Sequence, residues 1–121
     1  MRYEEPPSLD REEVEAVLAG DDASRIPGVL VGAAFDADEP SWVLAWCERL
    51  STHPDVWVRR ICATCVGHLA RIHGELDEET AVRVLRALAA DPACRGTVED
   101  ALSDLQVFTG RDLAARVGVG G

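Results

Sequence analysis

Between His53 and Gly67 the chain reads HPDVWVRRICATCVG, and this stretch leaves little freedom in what can be built around it. Pro54 marks a turn and stands where a helix tolerates a missing N–H, at the first helical position, with Asp55 beside it. From there Val58, Cys62, Cys65, Leu69 and Ile72 recur three or four residues apart on one stripe, with Trp57, Ile61 and His68 alongside. An apolar face that wide belongs to a helix covered on two sides. The spacing therefore predicts a long helix over Pro54–His73 at the centre of the fold.

Helix signals recur on both sides of it, and strand signals are nearly absent. Asp10-Arg11-Glu12-Glu13 reads as a capping box in which Asp10 caps and Glu13 reaches back, with Leu9 stapled on Val14. Gly20 is expected to end this first helix. Asp21 and Asp22 precede a second helix, placed at Pro27–Phe35 so that Pro27 falls at its first position. Asp36–Pro40 forms a turn with Asp38 as the cap, and a third helix is expected over Pro40–Leu50 with Val43, Trp46, Cys47 and Leu50 inward. A fifth helix runs from Asp77 to Ala90 and ends at Asp91-Pro92; a sixth runs from Thr97 to Phe108. Gly110 breaks that helix, and Arg111–Val117 adds a last turn. At 121 residues the expectation is one domain over 1–121, with 1–7 and 118–121 frayed.

The chain also repeats. Pro40-Ser41-Trp42-Val43 and Pro54-Asp55-Val56-Trp57-Val58 share a proline, a tryptophan and a valine beside an acidic residue, and Asp91-Pro92 repeats the turn signal. One helix per ~15–20 residues is the spacing of a solenoid of hairpins. The run from Asp55 to Gly67 resembles the second helix of a HEAT repeat: Asp55 in the turn, Val58-Arg59 in the first turn, and Gly67 in its place. Cys62 stands where alanine is usual and Val66 where leucine is usual; both are small and apolar. The resemblance implies an all-α fold, a short HEAT-like α-solenoid of about three antiparallel helical hairpins, and a protein-binding role. Cys65–Gly74 is also similar to a group of small bacterial HEAT-like proteins, some of which are immunity proteins that neutralise a partner toxin. That similarity implies a toxin as partner.

Charge narrows the partner. The net charge is −10, all twelve basic residues are arginine, and residues 1–55 carry thirteen acidic against four basic side chains. Such a field repels phosphate backbones and argues against nucleic acid as the partner. It steers a basic protein in. No apolar run reaches the ~20 residues of a membrane span, and the first residues lack the basic and apolar regions of a signal peptide, so no membrane contact is expected and the expected location is the cytoplasm.

The residues that carry chemistry elsewhere read here as packing. Cys47, Cys62, Cys65 and Cys94 sit in or beside helices, which favours reduced thiols. Cys62, Cys65 and His68, with His73, have one-helix spacing for a metal, but structural zinc sites usually draw ligands from two elements. The chain is therefore read as a non-catalytic binding module with no cofactor and no metal, its partner-binding residues being Asp36, Asp38, Glu39, Trp42, Asp55, Trp57 and Arg60. Arg59 is expected to pair with a turn carboxylate such as Asp55. A generic adaptor and a metal-dependent enzyme using Cys62, Cys65, His68 and His73 are the alternatives.

Overall fold

The computed structural model describes residues 10–36 and 39–118, which form seven α-helices, one 3-10 turn and no strand. The predicted staple at Leu9, the cap at Asp38, the frayed end at 1–7 and all but Gly118 of the frayed end at 118–121 lie outside the described residues.

Helix α1, Arg11–Leu18, starts on the capping box: Asp10 accepts the Glu13 N–H at 2.8 Å, and the Glu13 carboxylate accepts the Asp10 N–H. Its cap at the far end is Ala19, one residue before Gly20. Helix α2 spans Ile26–Asp36, one residue longer than expected at each end. Pro27 is thus its second residue, still within the first turn, where no N–H is needed. Asp22 does not cap it; its carboxylate holds the N–H and hydroxyl of Ser24 in the preceding turn. Helix α3 covers Pro40–Leu50 as the spacing requires.

Helix α4 is Val56–His73. Asp55 takes the cap, accepting from the N–H groups of Trp57 (2.8 Å) and Val58 (3.3 Å), so Pro54 lies ahead of the helix rather than inside it. The buried stripe runs through Val58, Cys62, Cys65 and Leu69, but Ile72 is exposed. The reason is the length of its neighbour: α2 stops at Asp36, level with His68, and no longer covers the last turn of α4. Gly74 closes the helix in the left-handed conformation at φ 71°, which a side chain would strain.

Helix α5, Glu78–Ala89, is capped by Asp77. A 3-10 turn over Pro92–Cys94, capped by Asp91, feeds directly into α6, Arg95–Thr109, so α6 begins two residues ahead of Thr97. Helix α7 is the short Ala114–Val117, whose Leu113 and Val117 are buried.

The helices pair as α1–α2, α3–α4 and α5–α6, and the pairs stack. Phe35 near the end of α2 meets His68, and Phe108 near the end of α6 lies against Arg71 and Gly74. The second helices of the three pairs, α2, α4 and α6, therefore run side by side in one direction. Helices α3, α5 and α7 pack in a row behind them, with α1 against α2 at one end. Buried side chains from every helix join one hydrophobic cluster, with α4 in its middle.

Helix α4 makes its most extensive contact with α6, and the two cross at Gly67. A Cβ at Gly67 would lie 3.5 Å from the Ala101 Cα and 2.5 Å from Asp104 Oδ2. The glycine leaves room for the Asp104 carboxylate above the crossing.

Arg59 ties two hairpins together. Its guanidinium donates to Asp91 Oδ2 at 2.8 and 3.1 Å and to the carbonyls of His53 and Pro54. The partner is thus a turn carboxylate, as expected, but Asp91 rather than Asp55. Asp55 is already occupied as a cap, while Asp91 sits at the equivalent turn of the next hairpin. The first cause holding Asp91 below the usual carboxylate range is its hydrogen bond from Ala93, followed by Arg59.

Candidate interaction face

The residues singled out in the sequence fall into two groups. Asp36 ends α2, exposed; Glu39, the residue before α3, is ion-paired to Arg11 at 3.1 Å. The same Arg11 lies over the half-buried ring of Trp42, 4.4 Å from its centre. These three sit together at the α2–α3 turn; Asp38 lies outside the described residues. Asp55, Trp57 and Arg60 gather at the α3–α4 turn. The length of α3, ~16 Å for its eleven residues, separates the two groups.

The tryptophans divide clearly. Trp46 is buried under Arg49, while Trp57 is 64% exposed with the Arg60 guanidinium 5.0 Å from its ring centre. An exposed tryptophan beside an arginine is the composition of an interface anchor.

Trp57 also begins a stripe that sequence reasoning did not assemble. Trp57, Arg60, Thr64, His68 and Arg71 follow one another at three or four residues along the outer side of α4. Beside them a cleft of about 360 Å³ opens between α4 and α6, lined by Thr64, His68, Arg71, Asp100, Ser103 and Asp104. Large apolar side chains rim this face: Phe35 on one flank, and Phe108 and the 70% exposed Val107 on the other. The face combines exposed aromatic surface with a polar cleft. The signal in the sequence was the polar interruption at 60, 64, 68 and 71 of a helix that is otherwise apolar apart from Arg59 and His73.

His68 packs its ring on Phe35, with centroids 4.9 Å apart. Burial, and then the charge of Arg71, hold its pKa below the ordinary histidine value, partly offset by Asp104. At neutral pH it enters the cleft as an uncharged imidazole.

The metal alternative finds no geometry. Cys62 and Cys65 point into the core, while His68 lines the cleft. Among the described residues no group of three His, Cys, Asp or Glu side chains is placed to hold an ion. Three of the thiols are also held protonated. The hydrogen bond with Cys65, then burial, raises Cys47 well above the usual thiol value, and burial first raises Cys62 and Cys94. All four cysteines are free and buried.

Fold and face together define an all-α protein of three stacked antiparallel helical hairpins that presents an aromatic-rimmed surface on its α2–α4–α6 side. Among the described residues no helix is long and apolar enough to cross a membrane. No protein-family model and no curated protein matches the chain. It is similar to a chain in the crystal structure of a CDI complex from Cupriavidus taiwanensis LMG 19424, with 32% sequence identity and a TM-score of 0.74 over 89% of this chain and 97% of that one. The chain belongs to the same family as that member of the CDI complex.

Proposed function

We propose that this chain is an immunity-type inhibitor: a non-catalytic protein that binds and neutralises the toxin of a contact-dependent inhibition pair in the bacterial cytoplasm. The observation that carries this reading is the end-to-end similarity to a chain of a CDI complex, 32% identical over 97% of that chain. Such a complex pairs a toxin with its inhibitor. The net charge of −10 supports the inhibitor's side of the pair, because an acidic surface complements a basic toxin. The repeat of hairpins supports reading residues 1–121 as one HEAT-like domain. Trp42, Trp57 and Arg60 supply anchoring surface, and Asp36, Glu39 and Asp55 supply acidic side chains toward the turns; Asp38 joins them on the sequence alone.

The test is growth. Expressed alone in a bacterial host, this chain leaves growth unchanged; expressed with the toxin domain encoded beside its own gene, it restores growth that the toxin alone arrests. Growth arrest by this chain alone, or arrest by the toxin that this chain does not relieve, overturns the reading.

A further inference from the structure

Five carboxylates among the described residues are half-buried: Glu48, Asp55, Glu78, Asp91 and Asp104. Four of them are answered from within the chain. Glu48 pairs with Arg83 at 2.7 Å, Glu78 with Arg116 at 2.7 Å and Asp91 with Arg59 at 2.8 Å, while Asp55 caps α4. Asp104 alone has no hydrogen bond or ion pair among the described residues, and it stands in the cleft between α4 and α6. A partly buried carboxylate with no partner inside the chain is free to take a cation from outside it.

The surroundings match. Asp100 lies one turn before Asp104 and lines the same cleft. The Thr64 hydroxyl donates to the Arg60 carbonyl at 3.3 Å, so its lone pairs remain free to accept. Arg71, which lines the same cleft, has its guanidinium 5.6 Å from the ring centre of Phe108 and forms no ion pair within 4.0 Å among the described residues.

We propose that the α4–α6 cleft is a socket for a lysine or arginine side chain of the partner protein, bound by Asp104 and Asp100 and bordered by Phe108 and His68. This deepens the proposed function and rests on it: the chain must bind a protein partner for the socket to have an occupant. Charge complementarity names that occupant. A net charge of −10 repels a second copy of this chain and attracts a basic partner. The apolar rim supplies the area that excludes water around the ion pair, which raises its worth above that of an exposed one.

The test titrates the purified full chain with the toxin domain encoded beside it, by calorimetry at low and moderate salt. Asp104→Asn weakens binding about tenfold and Asp100→Asn with Asp104→Asn further still, because truncating one side of a desolvated pair strands the other. Arg71→Gln strengthens binding, since it removes the cation that competes for Asp104. Glu12→Gln, on α1, changes nothing beyond the small effect of one unit of net charge. Circular dichroism and melting confirm that each variant is folded. Wild-type binding that the double variant leaves unchanged overturns the socket and spares the proposed function. Failure of the wild type to bind overturns both. If sedimentation shows the wild type self-associating and the double variant monomeric, the occupant is a second copy and the proposal is wrong.

Discussion

Gly67→Ala separates what the fold needs from what the cleft needs. Two contributions favour the variant. Alanine is better than glycine inside a helix by about 1 kcal/mol, and a newly buried methyl contributes ~0.8 kcal/mol. Against them, the new Cβ would meet Asp104 Oδ2 at 2.5 Å and Cγ at 3.4 Å. That carboxylate can turn aside, since it breaks no hydrogen bond in doing so; the rotamer cost is about 0.5–1.5 kcal/mol. The backbone of α6 need not move, because 3.5 Å to the Ala101 Cα is an ordinary contact. The expected result is a stability within about 1 kcal/mol of wild type, with the sign favouring the variant. Partner affinity nevertheless falls about tenfold, because the displaced carboxylate no longer faces the cleft. Urea unfolding followed by circular dichroism measures the first quantity and calorimetry the second. Gly67→Val is the control: its branches reach the crossing itself and cost about 1–3 kcal/mol. Loss of more than 2 kcal/mol in Gly67→Ala would refute the argument that a movable side chain, not the backbone crossing, is what the methyl meets.

Other consequences are open to measurement. Leu69→Ala empties a fully buried position on the central helix and costs about 2–5 kcal/mol in urea unfolding; a loss under 1 kcal/mol contradicts the central place of α4. Asp55→Ala removes the α4 cap and costs about 1 kcal/mol, whereas Asp55→Ser retains most of it. NMR titration gives His68 a pKa below 6.5, lowered further by Asp104→Asn and raised by Arg71→Gln, the other facing group being Asp100. Because the folded value is the lower one, the unfolded chain binds the proton more readily, and stability falls as pH drops below 6.5 through the folded value. His68→Gln removes that part of the pH dependence, and an unchanged profile contradicts it. The four thiols react with a disulfide reagent only at the rate of unfolding; fast labelling of native protein contradicts their burial.

How much of this was legible without coordinates depended on the range of the interaction. The stripe Val58, Cys62, Cys65, Leu69 declared α4 because period alone sets which side is buried, and the capping box at Asp10 is a contact over three residues. Small errors followed from local competition: Pro54 and Asp55 both suit a helix start, and Asp55 took it with two hydrogen bonds. The partner of Arg59 is 32 residues away at Asp91, beyond anything spacing reports. The cleft was hidden for the same reason. Nothing in the spacing singles out Asp100 and Asp104; they share a cleft with α4 only because α6 lies along it. Trp57 and Arg60 were visible as anchors, but their continuation into Thr64, His68 and Arg71 gained meaning only once α2 and α6 bounded it.

Hydroxyl-radical footprinting of the chain, free and bound to the proposed toxin partner, tests the central claim most directly, because it reads side chains rather than backbone. In the free protein Phe35, Trp57 and Phe108 oxidise readily and the buried Trp46 does not. The account predicts strong protection of Phe35, Trp57 and Phe108 in the complex. Equal oxidation of these three with and without the toxin domain would contradict it.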